Sequence, residues 1–332
     1  MEILKNIKVP TGNILIVNGE KGKLECLSIG DYGKEKNIKA DFLGLTKEIN
    51  GVPNGDILSL EKKWVITVST QYGCSMNCIF CDVPKVGRGI NATKEDIIQQ
   101  VFCGISLHPE IKFTSRLNVH FARMGEPTFN PNVLLATEEL TYLLKKDKRW
   151  GFHPVISTMC PKNNNFLYEF IDKWIYIKNE KLNGEAGLQL SINTTNETER
   201  EKMFSGNAET LENISKMFER LLEDKEKNKR VIGRKIALNF AITDKEIDGK
   251  KLRDLFNPAY FMCKITPMHE NTACNKNGLI TKDGYTNYYP YKKVEEDLKK
   301  NGFDVIVFVP SKEEDESKIT CGNAILADKA VD

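Results

Sequence analysis

Residues 64–82 read WVITVSTQYGCSMNCIFCD. The run from Trp64 to Thr70 alternates apolar with small polar side chains and is rich in β-branched residues, the pattern of a strand. It leads straight into a loop carrying Cys74, Cys78 and Cys81, three of the nine cysteines in the chain, so a third of the thiols sit on one tight turn. Gly73 beside them permits an unusual backbone conformation. The same grammar recurs downstream. LNVHF (117–121) leads into ARMGEP, PVIST (154–158) into Met159-Cys160-Pro161, and FMCKIT (261–266) into PMHEN, while GLQLSIN (187–193) ends on Ser191 and Asn193. KIALNFAIT (235–243) and DVIVFV (304–309) are further strand-like runs. Helical patterns lie between them. The one over 93–107 opens with Thr93 and Asp96 at capping-box spacing and places Ile97, Val101 and Ile105 on one face. Such alternation implies parallel strands joined by crossovers. The number of units favours a partial or full parallel (β/α) barrel, with an open doubly wound sheet as the alternative. In a parallel barrel the βα loops gather at the carboxyl ends of the strands, so the unusual residues are expected to share one mouth.

Composition frames this reading. The 332 residues are 40% hydrophobic and 28% charged, enough for one large α/β domain with a small appendage. The formal net charge of +2 sets up no global field towards nucleic acid or membrane and leaves only a local basic groove for such a partner. The amino-terminal residues lack the charged start and unbroken apolar core of a secretion signal, and no run approaches the roughly 20 apolar residues of a membrane span. A cytoplasmic protein without a membrane partner is expected. In a reducing compartment nine cysteines point to burial, metal binding or catalysis more than to disulfides. Residues 1–60, with short apolar runs NILIV, LECLSI and DILSL between turn signals, read as a small β-rich region. Residues 61–310 read as the barrel, and 311–332 as an acidic, aperiodic tail lying over it.

Three thiols spaced C-x3-C-x2-C can close on a metal. Structural zinc takes four ligands, usually from two knuckles, and no second C-x-x-C occurs in the chain. An iron-sulfur cubane is held by one thiolate per iron. With three, one iron stays open to bind something else. Zinc, and thiols that are merely buried, remain the alternatives.

With Phe80 before its last cysteine, this motif resembles the signature of radical S-adenosylmethionine (SAM) enzymes. The resemblance implies a barrel of the radical SAM type, a 4Fe-4S cluster on Cys74, Cys78 and Cys81, and SAM chelated by the open iron and cleaved to a 5′-deoxyadenosyl radical. Further segments are similar to the RlmN and Cfr family of RNA adenine C2 and C8 methyltransferases. MGEPTFN (124–130) resembles its Met-Gly-Glu-Pro segment, which implies that Gly125 and Glu126 meet the methionine end of SAM. VISTMC resembles its Ser-Thr segment and implies Ser157. LSINTTNETER implies Ser191 and Asn196, CKITPMHEN implies Asn271, and DESKITCGNA places Cys321 on the methyl-carrying cysteine. The likeness runs in collinear order from about Lys62 to Ala324. It implies methyl transfer to an sp2 carbon of an adenine in ribosomal or transfer RNA, with an electron donor such as flavodoxin or ferredoxin. A radical enzyme acting on a small molecule or peptide, and a metal- or redox-sensing cluster module, are the alternatives.

Each of these residues has a plainer reading. Glu126 would favour the dipole of a helix starting at Pro127, Cys321 would serve as a buried thiol or a fourth ligand, and His120 and His269 as structural histidines. The chain also departs from the family. Thr67 stands where the family has the cysteine that resolves the adduct, and a hydroxyl forms no disulfide; Cys160, at the expected mouth, is the substitute candidate. Asn193 replaces a histidine. The stretch before the cysteine loop is short for the family's helical RNA-binding domain, and acids in VPSKEEDESK replace its basic lead-in.

Overall fold

The computed structural model describes residues 1–31, 48–49, 52–53, 58–146, 150–222, 233–320 and 324–328. Ten strands form one sheet. β1 (Glu2–Val9), β2 (Gly12–Gly19) and β3 (Gly22–Ile29) make an antiparallel meander. β3 pairs antiparallel with β4 (Trp64–Val68), Leu27 opposite Thr67. From β4 onwards every pairing is parallel, through β5 (Thr114–Phe121), β6 (Trp150–Thr158), β7 (Gly187–Ser191), β8 (Ile236–Ile242), β9 (Phe261–Pro267) and β10 (Val305–Val307). The crossovers carry α1 (Lys94–Ser106), α2 (Asn132–Lys146), α3 (Leu167–Tyr176), α4 (Leu211–Leu222), α5 (Gly249–Leu255) and α6 (Tyr289–Lys300).

The strands lie in strict chain order. Crossovers of one hand that always step the same way put every helix on the same face, whereas a doubly wound sheet reverses its order to cover both. A twisted sheet covered on one side curls around its bare side, so the fold is a partial parallel (β/α) barrel, left open because, among the described residues, β10 pairs only with β9. The amino-terminal meander is the small β-rich appendage expected, and it extends the barrel sheet past β4. Within the β-rich region NILIV and LECLSI lie in strands, whereas Leu58–Leu60, from the run DILSL, are coil and turn.

Burial alternates with the pleat. Ile236, Leu238, Phe240 and Ile242 of β8 and Phe261, Cys263 and Ile265 of β9 are buried against the helices, Phe218 of α4 meeting Phe261 at 5.4 Å between ring centres. The intervening side chains face the lumen and are only half-buried. That lining is polar: Thr67, His120, Ser157, Gln189, Asn239 and Lys264 occupy lumen positions on successive strands. Asn239 Nδ2 and Ser157 Oγ both donate to Gln189 Oε1, at 2.7 and 3.3 Å. Barrel interiors are ordinarily packed with Val, Ile and Leu, so this one is built for a polar occupant. Among the described residues no helix is long and apolar enough to cross a membrane.

α1 begins as the sequence anticipates, with both arms of the Thr93–Asp96 capping box formed. The tail, expected to be aperiodic, contains two short helices, Lys312–Glu316 and Ala324–Asp328, the first capped by Ser311 and Glu314.

Candidate active site

β4 delivers the cysteine loop. Gln100 of α1 grips the backbone of Ser69 on both sides, accepting from its N–H at 2.9 Å and donating to its carbonyl at 3.0 Å. The chain then enters a hairpin, Gln71–Gly73 with Arg88–Asn91. Gly73 has φ +82° and lies so close to the Gly87 backbone that no side chain fits. Beyond it the loop is tied to the far wall of the mouth. Ile79 N–H donates to the Met203 carbonyl at 3.0 Å, and Asn277 Nδ2 donates to the Ile79 carbonyl at 2.7 Å. Thr272 N–H donates to Asp82 at 3.0 Å. Asn271 caps the helix Thr272–Lys276 through Cys274 N–H at 2.8 Å, and its amide donates to the Phe80 carbonyl at 3.0 Å.

The three thiols converge. Burial, followed by the neighbouring Cys81, Cys74 and Glu126, raises the Cys78 thiol well above its ordinary value. Burial, with Glu126 adding to it, pushes Cys74 up to about 11. Cys74 and Cys78 border an apolar cluster of Met76, Met159, Met203, Phe204, Met268, Cys274 and Leu279, with Cys78 Sγ 3.7 Å from Met159 Sδ, while Cys81 packs on the main core. Among the described residues no three His, Cys, Asp or Glu side chains are arranged to hold a single metal ion. A cubane makes a looser demand, because each of its thiolates binds a different iron. Clustered thiols that resist ionisation, in a sulfur-rich apolar pocket, fit a group that itself supplies the positive charge.

Glu126 stands beside them, 5% exposed. Its Oε1 accepts from Thr128 N–H at 3.1 Å and from the Thr128 hydroxyl at 2.8 Å, while Oε2 accepts from Met159 N–H at 3.1 Å. Burial raises its pKa, and the hydrogen bonds offset that only in part. No ion-pair partner reaches it among the described residues. It also caps the short helical turn Pro127–Phe129, so the plainer reading holds at the same time. Gly125, at φ +99°, packs where a Cβ would lie 2.6 Å from Gln71 Cβ, and Gln71 Oε1 in turn accepts from Glu126 N–H at 3.0 Å.

Ser157 and Ser191 are half-buried lumen positions on β6 and β7. Asn196 is spent as the N-cap of Glu197–Met203. Asn193 is buried at φ +63° and accepts from Ala241 N–H at 3.1 Å, a backbone role. Thr67 lies within the sheet between Leu27 and His120. Cys160 is fully buried and its thiol is pushed up to about 12, so the expected substitute for the missing cysteine is sealed off from the mouth. His120 is held down to about 3, chiefly by burial and then by Lys264 and Arg234, and stays neutral. Cys321, with Gly322, lies outside the described residues.

One organising residue has no motif to announce it. Arg200, 1% exposed, donates to the carbonyls of Ser191 and Ile192 at 2.8 Å and of Met159 at 3.2 Å, binding the ends of two strands together. Its guanidinium stacks 4.6 Å over Phe204, which meets Phe80 edge-on at 5.4 Å. The loops after β4, β5, β6, β7 and β9 thus meet at one mouth, as the grammar of the sequence anticipates.

No protein-family profile matches the chain. Among curated proteins it is 25% identical over 218 residues to the "Probable dual-specificity RNA methyltransferase RlmN" of Petrotoga mobilis, covering 65% of this chain and 58% of that one. It is 35% identical over 114 residues to the "Dual-specificity RNA methyltransferase RlmN" of Campylobacter hominis, 34% of this chain and 30% of that one. The chain therefore spans less than two thirds of the length of these relatives. Among solved structures, a radical SAM methyltransferase from Sphaerobacter thermophilus superposes with a TM-score of 0.65 at 17% identity, over 97% of this chain and 80% of that one. That is a likeness of fold. The resemblance to RlmN carried by the motifs thus extends to a similarity over 218 residues at 25% identity.

Proposed function

We propose that the chain is a radical SAM methyltransferase of the RlmN and Cfr type, which methylates an sp2 carbon of an RNA adenine by way of Cys321. The observation that carries this reading is the meeting of three half-buried thiols with a buried carboxylate, which no cation pairs among the described residues, at the carboxyl ends of parallel strands. Cys74, Cys78 and Cys81 would hold a 4Fe-4S cluster; when bound, it supplies the electron for reductive cleavage of SAM. Glu126 offers its carboxylate to the ammonium of SAM, which removes the cost of burying that charge alone. Gly125 allows the backbone to approach, Asn271 and Asp82 brace the loop, and Phe80 is steadied by Phe204. Ser157 and Ser191 present hydroxyls in the lumen for the remainder of the cofactor. Cys321 accepts a methyl from one SAM as a thioether, with S-adenosylhomocysteine leaving, and carries it to the base. A flavodoxin- or ferredoxin-like donor and a cytoplasmic setting complete the proposal.

Protein purified without oxygen should be brown and, once reduced, yield 5′-deoxyadenosine from SAM. Cys74→Ala, Cys78→Ala and Cys81→Ala should each abolish colour and cleavage. A colourless, zinc-loaded, inactive protein would overturn the assignment and favour a metal-binding module. The polar lumen and the net charge of only +2 favour a second reading, a small-molecule acceptor on the same barrel. It takes over if total RNA gains no methyl while 5′-deoxyadenosine still forms.

A further inference from the structure

Glu25, in the middle of β3, and Arg123, just past β5, form an ion pair with both side chains nearly inaccessible to solvent, 0% and 4% exposed. Burying two charges costs several kcal/mol per ion before pairing, by a rough estimate, and an apolar pair of similar size often holds a fold as well. The hydrogen bonds indicate what this pair does beyond packing. Glu25 Oε1 accepts from Arg123 Nε at 2.5 Å and also from Nη2. Its other oxygen, Oε2, accepts from Ala324 N–H at 2.6 Å and Ile325 N–H at 3.2 Å. Arg123 Nη2 donates to the Lys318 carbonyl at 2.8 Å, and Nη1 to that of Ile319 at 3.3 Å. Among the described residues, every side-chain hydrogen bond not made within the pair therefore goes to the carboxyl-terminal segment, two on the amino side of Cys321 and two on its carboxyl side.

The clamp is registered to the site. Arg123 N–H donates to the Val68 carbonyl at 3.0 Å, and Thr70 N–H donates to that of Met124 at 2.7 Å, so the residues feeding the cysteine loop and Glu126 share one backbone frame with the clamp. A second tie pins the amino side: Asp315 accepts from the Thr320 hydroxyl at 2.5 Å and from Glu270 N–H at 3.0 Å, next to Asn271.

We propose that Glu25 and Arg123 are positioning residues for methyl transfer, fixing the chain on both sides of Cys321 against the rim of the barrel. This rests on the reading of Cys321 as methyl carrier. The test uses the full chain with its cluster. The double variant Glu25→Met/Arg123→Met should keep iron content and 5′-deoxyadenosine formation. The fraction of Cys321 peptide carrying an extra methyl, read by mass spectrometry, should fall roughly tenfold or more, and deuterium uptake at the amides of Ala324 and Ile325 should speed up by a similar factor, as expected when charge-assisted bonds are lost. Glu25→Gln, which keeps one acceptor oxygen, should recover part of both signals. Equal methylation and equal amide protection in the double variant would overturn the clamp while leaving the carrier reading intact. A wild-type Cys321 peptide without methyl would overturn the carrier reading instead. If the double variant does not fold, wild-type amides at Ala324 and Ile325 that exchange as fast as unstructured ones would refute the clamp without it.

Discussion

Under the proposed function, Glu126 is the side chain outside the cysteines on which SAM binding should turn most sharply. Its carboxylate is buried and hydrogen-bonded, yet no cation offsets its charge among the described residues. A ligand ammonium therefore gains a partner already stripped of water. Glu126→Ala should leave the visible absorption of the cluster intact and weaken SAM binding by roughly 10–100-fold, the worth of a charge-assisted hydrogen bond of about 1.5–3 kcal/mol. Equilibrium dialysis with labelled SAM measures this, and unchanged affinity would remove Glu126 from the site. The cysteines and Glu126 were legible in the sequence because each sits in a short motif directly after a strand. Arg123, Glu25 and Arg200 were not. Arg123 lies 98 residues from Glu25, and Glu25 lies 299 residues from Ala324, so no local pattern joins them. The expectation that Cys160 could stand in for the missing thiol failed for a related reason: adjacency to a strand end says nothing about which way a side chain turns, and this one turns into the core.

At the level of elements, the turn before Glu126 depends on a glycine. Gly125→Ala would place a methyl against Gln71 in a backbone region that L residues avoid, at a cost of about 1–3 kcal/mol. In a chain of this size that is a fall in Tm of roughly 1–4 °C. Because Gln71 also receives Glu126 N–H, SAM affinity should drop as well, and a variant with unchanged Tm and affinity would contradict the packing described. The tail is pinned by Asp315. Burial works to raise its pKa, but hydrogen bonds from His269 and Thr320 prevail and hold the carboxyl below its ordinary value. A depressed carboxyl stabilises the fold above its unfolded pKa of about 3.9 and loses that contribution as the pH falls through the lower folded value. Asp315→Asn should therefore be less stable than wild type in urea at pH 7, with the gap closing towards pH 3; a gap independent of pH would contradict the pairing. The strands and α1 were legible to within a few residues because alternation and capping are local signals. The short helix Lys312–Glu316 escaped notice because, in a run of acids with no apolar period, only the Ser311–Glu314 box marks its start.

For the molecule as a whole, strand order is what separates a barrel from a doubly wound sheet, and order is a property of pairing that no segment of sequence carries alone. The same holds for the merging of the amino-terminal meander with the barrel, where Leu27 meets Thr67 across the seam. With a net charge of only +2, attraction to RNA has to come from a local surface. If RNA is the substrate, log K should fall linearly with log salt, with a slope of about −0.7 for each single-strand phosphate neutralised. No binding to total RNA at low salt would favour the small-molecule acceptor. The most direct test of the account is repeated anaerobic turnover of the reduced, cluster-loaded protein, beyond the methyl already carried on Cys321, with total RNA and SAM carrying a deuterated methyl group, followed by mass analysis of nucleosides and small molecules. The account predicts 5′-deoxyadenosine together with a deuterium-bearing methyl on adenine. A fully iron-loaded protein that yields neither product would contradict it.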